Sequence, residues 1–579
     1  MQNRRWDLAE SASAEFFATL AGTPRVVAQL LWNRGIRTAN DADVFLRPSY
    51  ERDVHDPYRF SQMTAAVARI FSAMERGERI AIYGDYDADG VTGSAILAVT
   101  LRALARAMGK ELDFDLEVYL PHRDREGYGV HEAAVASIAS RGTKLMITVD
   151  CGIANRREIG VAASLGMQTI VVDHHEVPPE LPEAILVHPG IPGETYPNRN
   201  LPAAGVALKV AEALTREAGL RGILLPPGFS KWLLDLASIA LVTEIVPLTG
   251  ENRALLHYGL LVLNKTRRPG LRKLMEAARL TPGNIGSREI GFQIGPRINA
   301  AGRMDHAVTA YSLLTAENDE DATRLAAELN LRNTERQARG SKMLAEAREV
   351  VGVPGMAPLL AVVREGWPPS LLGLIAGRLA DEHYRPALVI GRNGEECVGS
   401  GRSIPEFHIT RALAEAGGFL HKFGGHPQAC GFSIHGEENL RGFLNQMAEI
   451  ASRELSGVTL VPRLPIDAEL VPTDAVPEIF DALASFAPFG EGNVKPRFLA
   501  KSMRAEGVRR LGATGKHLAF RAHDGRRTMR AIAFGMGERA EEISSGRTVD
   551  VVYELDKNSW MGRDELEMKV VDFRCSNER

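Results

Sequence analysis

The first half of the chain alternates short apolar runs of β type with alanine-rich stretches of helical pattern. The apolar runs are RIAIYG, KLMITVD, QTIVVDHH and AILVHP, and stretches such as VHEAAVASIASRG and REIGVAASLG lie between them. Strands that alternate with helices are typical of a parallel sheet whose crossover helices cover its faces. We therefore predict an α/β fold built on a parallel sheet.

Polar residues follow three of these runs directly. In open α/β sheets, ligands bind at the carboxyl ends of the strands, so polar side chains that recur there predict one site assembled from several loops. The residues at these strand ends are Asp85, Asp87 and Asp89, then Asp150, then Asp173, His174 and His175.

The spacing of Asp85, Asp87 and Asp89 has three interpretations. An EF-hand calcium loop begins in the same way, but its twelfth position needs a glutamate, and that position is Ile96 here. A solvated acidic turn is the second interpretation. The third is a metal site in an α/β fold, which we favour because three carboxylates in one turn repel one another unless a cation stands between them.

The residue types predict Mg²⁺ or Mn²⁺, since hard oxygen ligands disfavour soft metals and the chain has no C-x-x-C pair. Five or six anionic ligands exceed the charge of one divalent cation. We therefore expect two ions, which can activate water and neutralise a phosphoryl group. Taken alone, the DHH sequence is also compatible with a structural histidine pair at a strand end. The motif follows a predicted strand, as the other acidic groups do, and this shared position favours the metal site.

Composition limits the remaining possibilities. At 579 residues the chain is too long for one core, and two to four domains are expected. No apolar run reaches the ~18 to 20 residues that span a membrane, and the N-terminal stretch lacks the apolar core of a secretion signal. We therefore expect a cytoplasmic protein without membrane contact. Its four cysteines indicate neither a disulfide framework nor a zinc cluster.

The net charge of −4 argues against a uniformly basic nucleic-acid binder, but the charge is uneven along the chain. Between Lys501 and Arg530 nine lysines and arginines stand against two acids. Such a run is often only a solvated surface. Here it lies on short β-type segments, which suits a small barrel that binds single strands. The aromatic residues available there are Phe520, Phe534, Tyr553 and Trp560.

The motifs GDYDADGVTG, VDCG and VDHH resemble the successive motifs of the DHH phosphoesterase superfamily. Further segments resemble the branch of that superfamily whose members are exonucleases specific for single-stranded DNA. These segments are YLPHRDREGYGV, FQIGPRINAAGRMDHA, GSGRSIPEFHI, FGGHPQACGFSI and APFGEGNVKPRF. The resemblance extends from about Asp56 to the last residue.

The resemblance implies a DHH-type parallel-sheet domain, joined by a long helix to a DHHA1 α/β domain and followed by an OB-like β-barrel. The connecting segment is also helical in composition, from about Asp321 to Val350. The implied boundaries are 1–55 for an N-terminal extension, 56–315 for the DHH domain, 316–352 for the connecting helix, 353–455 for DHHA1 and 456–579 for the barrel.

The resemblance also implies a ligand set. Asp85 and Asp87 would hold one ion, Asp89 and His174 the other, and Asp150 would bridge both. His175 would orient the attacked phosphate or the nucleophilic water. The fourth motif, LVTEIVPL, carries Glu244 where the family usually has aspartate, and Glu244 is the expected remaining ligand.

Three more positions depart from the family pattern. Tyr83 stands where many members have histidine, and Pro368 and Ser370 replace the usual histidine and glycine of another loop. In DHHA1 the glycines permit close approach of the backbone to a phosphate. The residues implied to hold substrate, the 5′ phosphate above all, are Arg123, Arg297, Asn299, Arg303, Ser400, Arg402 and His426; ordinary surface salt bridging is the alternative for each.

The implied activity is metal-dependent removal of nucleotides from the 5′ end of single-stranded DNA, in recombination and repair. Single-strand-binding protein and a helicase are the expected partners. Three alternatives stay open: a phosphodiesterase for short oligonucleotides or cyclic dinucleotides, a non-catalytic replication scaffold, and a polyphosphate or pyrophosphate hydrolase. The basic C-terminal region argues against the first and the third, because small substrates need no barrel that holds a strand.

Overall fold

The computed structural model describes residues 4–111, 114–352, 357–543, 547–560 and 563–576, without the side chains of residues 559, 560 and 563. These residues form two compact units. Unit 1 comprises 55–246 and 258–462, and unit 2 comprises 4–54, 247–257 and 463–576. The residues predicted as an N-terminal extension therefore belong to the same unit as the C-terminal barrel.

The strands and helices are numbered in chain order. The strands are β1 (Arg5–Leu8), β2 (Ile80–Gly84), β3 (Leu116–Tyr119), β4 (Leu145–Val149), β5 (Gln168–Val172), β6 (Ile185–Val187), β7 (Leu360–Glu365), β8 (Ala387–Asn393), β9 (Glu396–Arg402), β10 (Lys422–His426), β11 (Ala429–His435), β12 (Arg463–Ile466), β13 (Ala468–Glu469), β14 (Phe498–Leu511), β15 (His517–His523), β16 (Thr528–Ala533), β17 (Thr548–Trp560) and β18 (Arg563–Cys575). The helices are α1 (Ala14–Thr19), α2 (Arg25–Asn33), α3 (Ala39–Leu46), α4 (Tyr50–Asp53), α5 (Met63–Arg76), α6 (Ala88–Ala107), α7 (Glu132–Ser140), α8 (Arg156–Ser164), α9 (Ala203–Leu220), α10 (Phe229–Trp232), α11 (Leu234–Thr243), α12 (Gly250–Leu263), α13 (Pro269–Ala277), α14 (Ser287–Glu289), α15 (Gly295–Met304), α16 (Val308–Leu314), α17 (Asp319–Val351), α18 (Pro369–His383), α19 (Ile409–Glu415), α20 (Glu437–Glu454) and α21 (Pro477–Ala484).

The first sheet of unit 1 is parallel throughout, in the order β3-β2-β4-β5-β6. Every residue of β2 and β4 is buried, as expected for strands covered by helices on both faces. The strand order places β2, β4 and β5 side by side. The three acidic strand ends predicted from the sequence therefore meet at one edge of the sheet.

Helix α6 lies in the core of this domain. Among the described residues it is the one helix long and apolar enough to cross a membrane, and 83% of its most apolar window is buried inside the protein. The expectation that no apolar segment reaches that length is therefore wrong for α6. Its burial identifies it as a core helix that packs against α9 and α11.

Helix α17 connects the first sheet to a second one, as the sequence predicted. It has 33 residues, and the side chain of Asn318 caps it by accepting from the backbone N of Asp321. The second sheet has the order β10-β11-β9-β8-β7, in which only the β7–β8 pair is parallel. Strand β10 is its exposed edge.

Unit 2 is built around a closed barrel in the order β14-β15-β16-β18-β17, with β17 pairing back to β14. Phe520 and Tyr553 are buried in the barrel core, so the prediction that they are available to bases is wrong. Phe534 is exposed, and the side chain of Trp560 lies outside the described residues. The barrel has a hydrophobic interior because inward positions alternate along each strand.

A buried arginine holds the APFGEGN segment of unit 2. The guanidinium of Arg253 donates to the carbonyl oxygens of Phe45 at 3.0 Å, Ser485 at 2.9 Å, Phe486 at 2.8 Å and Ala487 at 2.9 Å. Buried carbonyl groups need such partners. Arg253 therefore anchors the start of this motif and the residues just before it within unit 2.

Candidate metal centre

The turn after β2 is shaped by the start of α6. Asp87 caps this helix, and its Oδ1 accepts from the backbone N of Asp89 at 2.9 Å and of Gly90 at 3.2 Å. A Cβ at residue 90 would lie 2.6 Å from the carbonyl oxygen of Asp85, so only glycine fits there. The turn thereby buries Asp85 at the strand end.

Asp89 is held by the N-terminus of another helix. Its two carboxylate oxygens accept from the backbone N of Ala203 at 2.8 Å and of Ala204 at 2.7 Å, at the start of α9. Free N–H groups and the helix dipole stabilise a carboxylate in this position. Its Oδ2 lies 3.6 Å from Nε2 of His174, which places Asp89 at the edge of the site.

Asp150 lies at the centre of the cluster. Its φ of 64° is in the left-handed region, which aspartate and asparagine tolerate better than most residues. Its Oδ1 is 3.3 Å from Nε2 of His174 and 3.7 Å from Nδ1 of His175. The ligand atoms of Asp85, Asp87 and Asp150 lie within 4.8 Å of one another, and so do those of Asp150, His174 and His175. Asp150 belongs to both groups.

Asp173 orients both histidines, a role that the sequence analysis did not assign. Its Oδ1 accepts from the backbone N of His174 at 2.8 Å, the backbone N of His175 at 3.2 Å and Nδ1 of His175 at 2.8 Å. Its Oδ2 accepts from the backbone N of Ile153 at 3.0 Å. Although burial opposes ionisation, the hydrogen bond and charge of His175 lower the pKa of Asp173 to about 2.

The two histidines therefore differ in charge. Burial and the neighbouring His175 lower the pKa of His174 to about 4, which leaves it neutral and able to bind a metal through Nε2. Burial also disfavours a charge on His175, but the hydrogen bond and charge of Asp173 outweigh it and raise the pKa of His175 to about 9.

Glu244 reaches the same cluster from the end of α11. Its Oε1 lies 3.8 Å from Nε2 of His174, and 30% of its side chain is exposed. Burial and the charges of Asp89 and Asp87 raise the pKa of Glu244 to about 9. The longer side chain at this position of the fourth motif is therefore directed into the site.

The site fits divalent cations. Burial and neighbouring carboxylates raise the pKa of Asp89 to about 7 and hold those of Asp85 and Asp150 well above their usual range. Among the described residues, Oδ1 of Asp85, Oδ1 of Asp150 and Nε2 of His174 are buried and have no hydrogen-bond partner. Buried polar atoms without partners are costly, and a cation removes both that cost and the repulsion. Oxygen donors with one imidazole suit Mg²⁺ or Mn²⁺.

Arginines from three segments gather beside this cluster. Nη1 of Arg303 donates to the carbonyl oxygen of Ser370 at 2.6 Å, and the Ser370 hydroxyl donates to the carbonyl oxygen of Arg303 at 3.0 Å. Burial, with Arg123 and Arg336 nearby, lowers the pKa of Arg303 to about 9. The guanidinium of Arg123 lies 4.6 Å from the ring centroid of Tyr86, next to Asp85.

Arg402, at the end of β9, lies against α18 and near the same arginines. Nη1 of Arg402 donates to Oγ of Ser400 at 3.1 Å, and a Cβ at residue 373 of α18 would lie 2.9 Å from its Nη2. Burial, with Arg123 nearby, lowers the pKa of Arg402. Guanidinium groups held this close together could bind an anion, whose charge would offset their repulsion.

The other residues predicted to bind substrate are Asn299, Arg297 and His426, and they have different surroundings. Oδ1 of Asn299 accepts from the backbone N of Ala88 at 2.8 Å, which ties α15 to the first turn of α6. Nε of Arg297 donates to Oδ1 of Asn330 at 3.1 Å on α17. His426 lies on the exposed strand β10, and the described residues show no contact between its ring and the arginines.

Comparison with known proteins places these features in a family. The model of the DHH family, N-terminal domain, matches residues 79–240, that of the DHHA1 domain 356–453, and that of the RecJ OB domain 466–572. The curated protein "Single-stranded-DNA-specific exonuclease RecJ" of Bacillus subtilis is 38% identical over 557 residues, which are 95% of this chain and 68% of that protein. This chain belongs to the RecJ family.

Solved RecJ structures agree with this assignment. RecJ from Thermus thermophilus in complex with Mn²⁺ matches 98% of this chain and 79% of its own, at 29% identity and a TM-score of 0.83. The same protein in complex with Mg²⁺ gives a TM-score of 0.77 at 28% identity, and covers 98% of this chain and 78% of its own. The predicted α/β class, with DHH, DHHA1 and OB domains, is confirmed.

Several residues that shape the site are not assigned a role from the sequence. Asp173 is evident there only as a strand-end residue, and Arg336 lies in a helix whose composition predicts only a connector. No role was assigned to Ser370, which instead joins α18 to Arg303. The cluster of acids at strand ends was a signal for Asp173, whereas Arg336 had no local motif.

Proposed function

We propose that this chain is a metal-dependent exonuclease that degrades single-stranded DNA from its 5′ end. The observation that carries the proposal is the set of buried, unpartnered ligand atoms of Asp85, Asp150 and His174. They lie near arginines whose guanidinium groups suit a phosphate. Arg123 is close enough to Asp85 for its positive charge to oppose the rise in the pKa of that carboxyl. The activity of the RecJ relatives, named for single-stranded DNA, supports the same substrate.

Two ions, Mn²⁺ or Mg²⁺, fit the ligands available. Asp85, Asp87 and Asp150 would hold the first, and Asp150 would also hold the second. When bound, such ions activate water and neutralise a phosphoryl group. The further ligands of the second ion would be Asp89, His174 and Glu244.

The chain's own groups supply orientation and charge. His175 is held by the hydrogen bond from its Nδ1 to Asp173, and it would orient the attacked phosphate or the water. Arg123, Arg303 and Arg402 would hold the 5′ phosphate, because guanidinium groups match phosphate oxygens. If these arginines hold the 5′ phosphate, digestion would begin at the 5′ end of the DNA.

The first prediction concerns the 5′ phosphate. Replacing Arg402 with alanine should raise KM about tenfold for 5′-phosphorylated strands, because a charge-assisted contact is lost. The same change should have little effect on strands with a 5′ hydroxyl. Steady-state kinetics on both substrates measures this. Arg453, an exposed residue of the same domain that pairs with Glu415, provides the control variant Arg453→Ala. Equal losses on both substrates would contradict the assignment of Arg402.

The second prediction concerns Glu244. Its extra methylene requires a retracted backbone or a shifted ion, and Mn²⁺ tolerates imperfect octahedral geometry better than Mg²⁺. We therefore expect higher activity with Mn²⁺. Glu244→Gln should cost at least about tenfold in kcat, since a ligand charge is lost. Glu244→Asp should keep a substantial part of the activity. Full activity of Glu244→Gln with both metals would remove Glu244 from the ligand set.

The proposal also covers the domain boundaries, the cellular location and the partners of the protein. We propose the domain boundaries 56–315, 316–352, 353–455 and 456–579, and the matched family segments, which lie inside them, support this proposal. We also propose cytoplasmic location, no membrane contact, a role in recombination and repair, and single-strand-binding protein and a helicase as partners. The basic OB-like barrel would hold the single strand.

Digestion assays test the proposed function. Single-stranded and duplex DNA are incubated with Mn²⁺, with Mg²⁺ and with a chelator. We expect digestion of single strands with either metal, slow digestion of duplex, and none with the chelator. Equal digestion of duplex would contradict the strand preference. No digestion with either metal would favour the non-catalytic scaffold, and cleavage of only very short oligonucleotides would favour the phosphodiesterase alternative.

A further inference from the structure

Tyr83 is a buried tyrosine in the middle of the first sheet. It is fully buried on β2, and its hydroxyl donates to the carbonyl oxygen of Gly129 at 3.1 Å. Its ring lies 5.1 Å from that of Tyr119, centroid to centroid. The metal-binding turn begins two residues later, at Asp85. The one polar group of this side chain therefore reaches from the metal-binding strand to a different segment.

That segment is the loop 121–130, which carries two groups of the site. Arg123 packs on Tyr86 and belongs to the arginine group described above. The hydroxyl of Tyr128 donates to the carbonyl oxygen of Asp150 at 3.3 Å, and its ring lies 5.1 Å from the ring of His175. The position of this loop thus affects both the phosphate-binding group and the residues around Asp150.

Other contacts also hold this loop. Asn155 accepts from the backbone N of Val130 at 3.2 Å and donates to its carbonyl oxygen at 3.3 Å. Within the loop Glu126 accepts from the backbone N of His122 at 2.6 Å, and outside it Glu126 accepts from the hydroxyl of Tyr119. Gly129 itself has a φ of 98°, which non-glycine residues rarely adopt. Its buried carbonyl faces the sheet, where the Tyr83 hydroxyl is its donor.

Tyr83 also contacts the segment that follows β4. The Sγ of Cys151 lies 3.7 Å from the backbone carbonyl oxygen of Tyr83. Cys151 is the neighbour of Asp150 in the chain. Tyr83 therefore contacts the segment of Asp150 through its backbone and the loop of Arg123 through its side chain.

We propose that Tyr83 is a positioning residue that fixes loop 121–130 over the metal centre and thereby sets the grip on the 5′ end of the strand. This inference rests on the proposed function for its effect on DNA, and on the geometry alone for its effect on the loop. Tyr83 touches neither substrate nor metal. Its hydroxyl holds Gly129 in place, and the position of Gly129 affects the positions of Tyr128 and Arg123 in the same loop.

The test removes a single oxygen atom. Tyr83→Phe keeps the ring in the core and deletes the donor to Gly129. The matched control is Tyr553→Phe, because the hydroxyl of Tyr553 is also buried and donates to a backbone carbonyl oxygen, that of Leu470 at 2.8 Å, within unit 2. Both variants lose one buried hydrogen bond, so the fall in melting temperature should be of similar size.

Two readouts separate positioning from plain stability. Hydrogen exchange of the amides in 121–130 should become faster in Tyr83→Phe and stay unchanged in Tyr553→Phe. The preference for 5′-phosphorylated over 5′-hydroxyl strands, measured as the ratio of kcat/KM values, should fall about tenfold in Tyr83→Phe only, since small displacements of a binding group cost this much. Mn²⁺ affinity, measured by calorimetry, should stay within about twofold in both variants.

The outcomes are distinct. Unchanged exchange of 121–130 in Tyr83→Phe overturns the proposal, whatever the activity. Faster exchange with an unchanged end preference also overturns it, because the loop would then not set the grip. If the unmutated protein digests no DNA, the proposed function fails, and so does the inferred grip on the strand. The exchange data still decide separately whether Tyr83 fixes the loop.

Discussion

Asp150→Asn is expected to abolish hydrolysis, with a loss of at least about 10³-fold in kcat, while single-strand binding stays nearly unchanged. Asp150 belongs to both groups of ligand atoms, so its charge would be shared by two ions and its loss should disorganise both. The arginines and the basic barrel do not depend on this carboxylate. Activity is measured by release of nucleotides with Mn²⁺, and binding by fluorescence anisotropy with a chelator present.

Asparagine is the sharper substitution at this position, and Asp150→Ala is the second variant. The φ of 64° suits asparagine, whereas alanine would add backbone strain to the loss of the ligand. Both variants should be inactive, and asparagine should leave the melting temperature closer to that of the unmutated protein. Activity of Asp150→Asn within tenfold of the unmutated protein would remove Asp150 from the centre of the mechanism.

Asp173→Ala should lower activity about 100-fold per folded molecule, although Asp173 is not a predicted ligand. Its carboxylate accepts the backbone N–H groups of both histidines and the ring N–H of His175. Without it, His174 loses its orientation and His175 loses the charge that raises its pKa to about 9. Removing a buried acceptor should also cost about 2 to 4 kcal/mol of stability.

The control for Asp173→Ala is a buried carboxylate with a similar set of partners. Glu194 accepts from the backbone N of Ser61, the backbone N of Thr195 at 2.7 Å and the backbone N of Tyr196 at 2.9 Å. Glu194→Ala should lose a comparable amount of stability and keep its activity per folded molecule. Similar losses of specific activity in the two variants would show that Asp173 acts only through stability.

The sequence predicted which side chains come together where chemistry and topology coincide. Parallel strands place their carboxyl ends on one edge, so Asp85, Asp150 and His174 could be expected to meet without knowledge of any distance. The sequence of strand, acidic turn and helix also places Asp87 and Asp89 beside Asp85. In the structure Asp87 caps α6 and Asp89 lies in its first turn. The long helix α17 was predicted from its composition, within three residues at its start.

Features that depend on contacts between distant segments were not predictable in this way. Nothing local to residues 4–54 indicates that β1 pairs with β12, more than 450 residues away. The sequence does not show which face of a barrel strand Phe520 and Tyr553 occupy, because side chains alternate between the two faces in either case. Only the closed barrel decides which face is buried. The role of Ser370 likewise requires the approach of α18 to Arg303.

Digestion of end-labelled single-stranded DNA tests the central claim most directly. A 5′-phosphorylated strand carries a label at either its 5′ or its 3′ end and is incubated with Mn²⁺ and either the unmutated protein or Asp150→Asn. The unmutated protein should release the 5′ label at once as a mononucleotide, while the 3′ label stays in progressively shorter strands. Asp150→Asn should leave both labels in intact strands. Early release of the 3′ label, or equal digestion by Asp150→Asn, would contradict a 5′ exonuclease built on this metal centre.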